Sequence, residues 1–250
     1  MRLFFLAALL LVVAATVNAQ VTTSAMAGRV ADKQGEDIIS ALVRVVHKPS
    51  GTTYNAVTNV DGRWAIQGMR VGGPYEVKIT YVGFADSVIE DITLQLGETY
   101  NLNITMAEDV TELGEVVVTG TRSKFAAEKT GATTNISNTQ LSALPTVSRS
   151  ISDIVRLSPY ANGMGFAGGD GRSTNFTLDG ANLNNNFGLS SSLPGGGTPI
   201  SMDAIDEVQV VVTPFDVRQT NFIGGGINAV TKSGTNTFKG TAYVYHNNEN

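Results

Sequence analysis

One stretch of the sequence has the glycine spacing of a dinucleotide-binding turn. It is Gly163-Met164-Gly165-Phe166-Ala167-Gly168, which fits the pattern GxGxxG. Such a turn needs a strand before it and a helix after it, because the N-terminus of that helix binds the pyrophosphate. Here the pattern follows a predicted helix and a proline-containing loop. The sequence therefore predicts no nucleotide site.

A second stretch, near the C-terminal end, has the spacing of a zinc-binding pair. His246 and Glu249 stand three residues apart, as in an HxxE zinc motif. A catalytic zinc ion needs three protein ligands and one open position. No histidine follows Glu249, and the only other histidine, His47, belongs to a different predicted module. We predict a polar turn at this place and no metal.

The remaining chemical candidates are explained by turns and helix caps. Asp61, Asp170 and Asp179 are each followed by glycine, but no spaced acidic series of the EF-hand type surrounds them. Ser150 and Asp153 lack a nearby histidine for hydrolysis and fit a capping box. No GxSxG elbow, P-loop or Ser/His/Asp set occurs. The sequence thus predicts neither an enzyme nor a cofactor.

The composition is that of a globular, mainly β protein. Hydrophobic residues make up 42% of the 250 residues and charged residues 16%, and the 27 glycines favour short strands and turns. The net charge is −5 without a basic stripe, which argues against nucleic acid as a partner. Cysteine is absent, so disulfides and thiol chemistry are excluded.

The N-terminus has the pattern of a secretory signal. Arg2 precedes the apolar run Leu3 to Ala15, and small residues precede Gln20. The run is shorter than the ~20 residues of a membrane span. Residues 1–19 are therefore predicted to be a signal peptide.

Residues 20–107 are predicted to form a seven-stranded β-sandwich. Tyr75, Val77, Ile79 and Tyr81 alternate with polar residues, as in a half-buried strand. Asp61-Gly62 is a two-residue hairpin signal, and Trp64 is expected in the core. Further strand candidates are Ala41 to His47, Tyr54 to Thr58, Arg63 to Ile66, and the alternating Leu102, Ile104 and Met106.

Residues 108–130 are predicted to be a linker with two possible roles at its centre. Val116 to Val118 could be the buried first strand of the next domain. Alternatively, Glu115 to Thr119 could be an extended segment that adds as a strand to a partner sheet. Strand addition needs only exposed backbone groups, so the residues leave both possibilities open.

Residues 131–235 are predicted to form an α+β unit. A helix capped by Asn138 or Thr139 should end at Leu144, and a second should follow Ser150. The apolar stripe of that second helix is Ile151, Ile154, Val155 and Leu157. Strands are expected at Ser173 to Leu178, Ala181 to Leu183, Val208 to Thr213, Ile227 to Thr231 and Thr237 to Tyr245. Asp179-Gly180 should form a turn, and residues 184–199 form a long loop that is functional or disordered.

Several of these stretches resemble known families. The run GGGINAVTKSGTNTFKG resembles the end of the plug domain of TonB-dependent outer-membrane receptors, especially the Oar-like branch, where it leads into the first barrel strand. SISDIVRLSPYANG and GRSTNFTLDGANLNN also resemble plug motifs. GRVADKQGEDIISALVRV and TNVDGRWAIQGMRVGGPYEVKITYVGF resemble the carboxypeptidase-regulatory-like, or transthyretin-like, domain that precedes the plug in Bacteroidetes-type receptors.

The resemblance implies a complete domain order and a function. Residues 20–107 would be the regulatory-like sandwich, 131–235 an α+β plug domain, and 236–250 the start of the first strand of a β-barrel. The chain would be a fragment that lacks most of the barrel. It would belong to the outer membrane, with the N-terminal domain in the periplasm, and would gate energy-coupled uptake of a nutrient ligand.

The resemblance also implies partners and site residues. The partners would be TonB, the barrel formed by the missing C-terminal part, and an unidentified nutrient. The candidate coupling residues are Glu115, Val116, Val117, Val118 and Thr119. The candidate substrate-side loop residues are Gly163, Gly165, Asp170, Arg172, Asn184, Asn185 and Asn186. The alternative function is a secreted β-rich binding or adhesion module without transport activity.

Overall fold

The computed structural model describes two packed units. Its described residues are 22–108, 116–119, 132–143, 150–184, 200–213, 219, 223–238 and 240. We call residues 22–108 the sandwich and the described residues from 132 onward the second unit. The predicted signal, residues 1–19, lies outside the described residues.

The sandwich consists of two β-sheets. Its strands are β1 (Ser24–Ala31), β2 (Leu42–His47), β3 (Thr52–Val57), β4 (Arg63–Met69), β5 (Gly72–Thr80), β6 (Ser87–Leu94), β7 (Thr99–Asn101) and β8 (Ile104–Thr105). One sheet has the order β4-β1-β7, with β8 also paired to β1. The other has the order β3-β2-β5-β6 and continues into β9 (Val116–Thr119). The predicted sandwich is confirmed, although residues 22–108 contain eight strands where seven were expected.

The alternating residues fill the space between the two sheets. Tyr75, Val77 and Ile79 of β5 are fully buried, and Trp64 lies in the same core, as predicted. Tyr81 follows the end of β5 and packs against the core from its margin. Burial of such side chains stabilises the fold by about 25 cal/mol per Å² of apolar surface. The described residues of this core all belong to the sandwich.

The prediction of a hairpin at Asp61-Gly62 is wrong. Gly62 does adopt a positive φ of 64°, and the Asn59 N–H donates to the Arg63 carbonyl oxygen at 2.9 Å. However, β3 pairs with β2 whereas β4 pairs with β1, so the turn carries the chain from one sheet to the other. Asp61-Gly62 does form a turn with a positive φ at the glycine, but a turn does not determine which strands pair.

The second unit is built on a five-stranded mixed sheet. The described strands of the second unit are β10 (Ala132–Ser137), β11 (Ala161–Asn162), β12 (Gly165–Phe166), β13 (Asn175–Leu178), β14 (Ala181–Asn182), β15 (Ile205–Val212) and β16 (Gly225–Thr231). The sheet order is β10-β15-β16-β13-β14, in which only β13 and β16 are parallel. β11 and β12 form a separate small hairpin. The positive φ values of Asp179 and Gly180 close the turn between β13 and β14, as predicted.

Two short helices pack on the apolar face of this sheet. They are Asn138–Ala143 and Ile151–Val155, and the second begins with the predicted capping box of Ser150 and Asp153. Ile151, Ile154 and Val155 are fully buried. Leu157 was expected in the same stripe, but the helix ends at Val155 and Leu157 is 42% exposed. Two short 3-10 turns, Gly171–Ser173 and Met202–Ala204, complete the described helical structure.

The expected last strand, Thr237 to Tyr245, lies mostly outside the described residues. Thr237 and Phe238 are described, and neither belongs to a strand. Among the described residues, no helix is both long enough and apolar enough to cross a membrane.

Candidate functional site

The candidate substrate-side residues that the structure describes lie at one end of the sheet of the second unit. The hairpin β11–β12 and the turn Gly171–Ser173 lead into the start of β13. The start of β16 lies beside them, because the Ile223 N–H donates to the Ser173 carbonyl oxygen at 3.0 Å. Antiparallel pairing places Asn184, just after β14, at this end too. The structure therefore brings Asn184, the first residue of the second predicted loop, to the same end of the sheet as the first loop.

Glycines allow this end of the sheet to pack closely. Gly163 has a φ of 63° in the turn between β11 and β12. A Cβ atom on Gly165 would overlap the carbonyl oxygen of Gly169. A Cβ atom on Gly225 would lie 2.6 Å from the ring of Phe166. The glycines of the GxGxxG pattern thus form a hairpin, and no helix follows it that could bind a pyrophosphate.

Asp170 and Arg172 form a local charged pair. Arg172 Nε donates to Asp170 Oδ2 at 2.9 Å, and the Arg172 N–H donates to Asp170 Oδ1 at 3.1 Å. The backbone hydrogen bond, followed by that of the side chain, lowers the pKa of Asp170 below its usual value. Both side chains are about half exposed. Asp170 therefore caps the 3-10 turn, while Arg172 presents a positive charge at the surface of the loop.

Asn184 ties its loop to β13. Its Oδ1 accepts from the Phe176 N–H at 2.6 Å, and its Nδ2 donates to Asn175 Oδ1 at 2.9 Å. Asn184 is thus a structural amide at the base of the loop. Asn185 and Asn186 lie outside the described residues.

The candidate coupling segment is the outermost strand of the sandwich. Val116 to Thr119 forms β9, which pairs in parallel with Ser87 to Glu90 of β6. The alternative interpretation, that these residues are the first strand of the next domain, is wrong because β9 belongs to the sheet of the preceding one. The interpretation as a strand that adds to a partner sheet stays a prediction. Glu115 lies outside the described residues.

A polar contact between the two units was not predicted from the sequence. The turn between β6 and β7 places Leu96, which is fully buried, against β15. The Leu96 N–H donates to Glu207 Oε1 at 3.1 Å, and Gln209 Nε2 donates to the Leu96 carbonyl oxygen at 2.6 Å. We call this pair of hydrogen bonds the Leu96 clamp.

The Leu96 clamp lies on a polar row that crosses the second sheet. Asn135, Gln209, Asn228 and Thr177 occupy neighbouring positions on β10, β15, β16 and β13. Thr177 Oγ1 donates to Asn228 Oδ1 at 2.7 Å, and Asn228 Nδ2 donates to Gln209 Oε1 at 3.2 Å. Buried amides without partners are costly, so this row gives the face a defined position for Leu96. The only sequence signal was the presence of Glu207 and Gln209 among the valines of β15.

The remaining chemical candidates have structural roles or lie outside the described residues. Asp179 accepts from the Thr231 N–H at 2.8 Å and from Thr231 Oγ1 at 2.7 Å. His47 is buried beside Tyr75, and its Nδ1 lies 2.6 Å from Ser50 Oγ. In the part of the chain that the structure describes, no three acidic or histidine side chains gather to hold a metal ion. His246 and Glu249 lie outside that part.

Comparison with known proteins supports the regulatory-like domain and a similarity to a transporter family. Residues 25–107 match the family described as the carboxypeptidase regulatory-like domain. The TonB-dependent transporter Oar of Myxococcus xanthus is 23% identical to this chain over 237 residues, which cover 89% of this chain and 22% of that protein. The two similarities support a TonB-dependent receptor family. The chain spans about a fifth of the length of this curated relative.

Solved structures add little to these two matches. The hydroxyquinol 1,2-dioxygenase of Pseudomonas putida has a TM-score of 0.30 at 12% identity, with 36% of this chain and 58% of that one covered. The TIE protein of Bacillus anthracis has a TM-score of 0.28 at 19% identity, with 35% and 17% covered. Likeness at this level carries no argument about chemistry. The regulatory-like domain and the transporter similarity favour a protein that is not an enzyme.

Proposed function

We propose that this chain is the N-terminal part of a TonB-dependent outer-membrane receptor that gates energy-coupled uptake of a nutrient ligand. The observation that carries the proposal is the similarity to the Myxococcus xanthus transporter, because it extends over 89% of the chain and so includes both units. In this proposal the sandwich lies in the periplasm, residues 131–235 are the plug, and residues 236–250 begin the first barrel strand. Residues 1–19 are the export signal.

The shape of the second unit supports a plug. β15 is buried on both sides of the sheet, with helices on one side and Leu96 on the other. A well-packed sheet held by glycine contacts suits a body that blocks a pore. The partner that surrounds it is the barrel formed by the remainder of the receptor.

The loops at one end of the second sheet are the proposed ligand side. Gly163, Gly165, Asp170 and Arg172 lie there, with Asn184 at the base of the neighbouring loop. Arg172 is half exposed and paired with Asp170, and its guanidinium has the donor geometry that suits a ligand with anionic or hydroxyl groups. Asn185 and Asn186, which lie outside the described residues, are also proposed ligand-side residues.

Val116 to Thr119, with Glu115, form the proposed segment for TonB. This segment offers backbone donors and acceptors in an extended conformation, which is what strand addition uses. In this proposal, uptake requires that force exerted by TonB on this segment be transmitted to the plug.

The direct test measures binding of the full chain to the periplasmic domain of TonB. Neighbouring residues of a strand direct their N–H groups to opposite edges. The double variant Val117→Pro/Val118→Pro therefore loses one N–H donor from each edge of the strand. We expect its affinity for TonB to fall by at least about tenfold, or ~1.4 kcal/mol. The control Val117→Thr/Val118→Thr keeps both N–H groups and β propensity, and should bind like the parent chain.

Failure of the parent chain to bind TonB would contradict the coupling role. Cell fractionation then decides the rest of the proposal. Recovery of the natural protein from its own cells as a soluble secreted protein, and not with the outer membrane, would favour the binding or adhesion module.

A further inference from the structure

The outer edge of β9 is a strand edge at a sheet margin. In the sheet order β3-β2-β5-β6-β9, β9 comes last, and none of the described strands pairs with its outer side. A marginal strand presents a row of backbone N–H and C=O groups to any extended segment that approaches it. The sandwich thus offers a ready template for one more strand.

β9 lacks the features that usually protect such an edge. Its sequence is Val-Val-Val-Thr, with no lysine, proline or glycine. Proteins commonly guard marginal strands with charged residues, prolines or bulges to prevent pairing with other chains. β-branched residues instead favour the extended conformation. The edge is therefore suited to pairing.

β6 keeps β9 extended over a short and defined register. Four residues pair, from Ser87 with Val116 to Glu90 with Thr119. The next residue of β6, Asp91, has a φ of 60°, and the register with β5 shifts there. This bulge lies directly after the last of the four described pairs, so β6 departs from regular pairing geometry at that point.

Pairing with β6 lowers the conformational entropy that β9 loses when it binds a partner strand. Fixing the backbone of one residue costs about 1–2 kcal/mol in conformational entropy. When β9 is already extended on β6, a partner does not have to order those residues on binding. The sandwich would thereby raise the affinity of a segment that, in isolation, would be an unstructured peptide.

We infer that the sandwich is a platform that presents the outer edge of β9 to a β-strand of TonB, so that the TonB strand extends the sandwich sheet while β9 stays paired with β6. This inference rests on the proposed function, because it assumes that TonB is the partner. In this inference the regulatory-like domain has a role of its own, which is to hold the coupling segment extended for TonB.

A thiol cross-link between β6 and β9 tests the inference, since the chain has no cysteine of its own. Glu90 and Thr119 are register partners, and the Glu90 side chain is 38% exposed. The variant Glu90→Cys/Thr119→Cys should react with a short bifunctional thiol reagent. The control Glu76→Cys/Thr119→Cys should not, because Glu76 lies on β5, one strand further away, with a similar exposure of 32%.

Binding of the TonB periplasmic domain is then compared before and after cross-linking of the full chain. We expect the cross-linked form to bind as tightly as the free form or more tightly. A loss of about tenfold or more on cross-linking would overturn the inference, because β9 would then have to leave β6. Absence of cross-linking in the Glu90 and Thr119 variant would overturn it as well.

The two proposals fail in different ways. If the free form binds TonB and the cross-linked form does not, the platform is refuted and the coupling role stands. If neither form binds TonB, and the parent chain does not bind it either, both are refuted.

Discussion

In the sandwich, β5 alternates buried apolar residues with partly exposed ones, whereas β15 in the second unit is buried from Glu207 to Val212. The sandwich therefore has a core between its own two sheets and a face in contact with water. The second unit has an apolar core on one side of its sheet and a polar row on the other, where Leu96 of the sandwich lies. The apolar core of the sandwich is made of the sandwich's own described residues, whereas the polar face of the second sheet is covered by Leu96 of the neighbouring unit.

This difference predicts how each unit responds to damage. The largest expected effect is that of Phe176→Ala in the second unit. Phe176 is fully buried, and such truncations cost about 3–5 kcal/mol. We expect hydrogen exchange to show unfolding of β13, β15 and β16 while the sandwich stays protected. The control Phe238→Ala alters a fully exposed side chain and should change nothing. Simultaneous loss of protection in both units would refute the independence of the sandwich.

The stability of the two units can also be compared by adding a Cβ atom to one closely packed glycine in each unit. A Cβ on Gly28 would overlap the Leu102 carbonyl oxygen in the sandwich, and one on Gly225 would press on Phe166 in the second unit. Overpacking of this kind costs about 1–3 kcal/mol. Gly28→Ala should lower the melting temperature of the sandwich, and Gly225→Ala that of the second unit. Gly234→Ala has no heavy atom within 4 Å of the new Cβ and serves as control.

The Leu96 clamp can be broken from the side of the second unit. Gln209→Leu removes the shorter of the two hydrogen bonds to the buried carbonyl oxygen of Leu96 and leaves only the contact with Asn135 Nδ2 at 3.5 Å, at a cost of about 1–3 kcal/mol. We expect faster hydrogen exchange at Leu96 and along β15, with β2 and β5 of the sandwich unchanged. Gln67→Leu, on the exposed side of β4, is the matched control. An unchanged exchange rate at Leu96 would show that the clamp contributes nothing to docking.

The smallest expected effect is a pH dependence confined to the sandwich. Burial, and to a lesser degree the charge of Arg70, lowers the pKa of His47 from its ordinary value of 6.5. The unfolded chain then binds a proton more readily than the folded one, so stability falls as pH decreases below about 6.5. Melting of the sandwich followed between pH 7 and pH 5 should show this decrease. His47→Gln should flatten it, and an equal slope in the variant would exclude His47 as its source.

Local signals in the sequence predicted local structure well. The capping box at Ser150, the turn at Asp179-Gly180 and the alternation along β5 all depend on neighbours within a few residues, and all three are confirmed. Leu157 and Asp61-Gly62 show the limit of such signals, because helix length and strand pairing are decided by distant contacts.

The same limit applies to the candidate site. The pairing of β9 with β6 joins residues almost thirty positions apart, and backbone pairing leaves no mark in the residue types. The contact of Gln209 with Leu96 is more distant still, at 113 positions. The sequence shows Gln209 among the valines of a strand. It does not show the partner of Gln209, because that partner is the backbone carbonyl oxygen of Leu96, a group that any residue could supply.

β6 is paired with β9 along its first half and leads at its other end directly into the Leu96 clamp on β15. Tension applied to β9 would therefore travel through the sandwich to the centre of the second sheet, in addition to the covalent route through residues 120–131. Along the paired strands the load would act in shear, across several hydrogen bonds at once. The load would then cross to the second sheet through the Leu96 clamp and the neighbouring hydrogen bonds from Asn135 to Gln95 and Glu98, and these bonds would contribute to the force at which the two units separate.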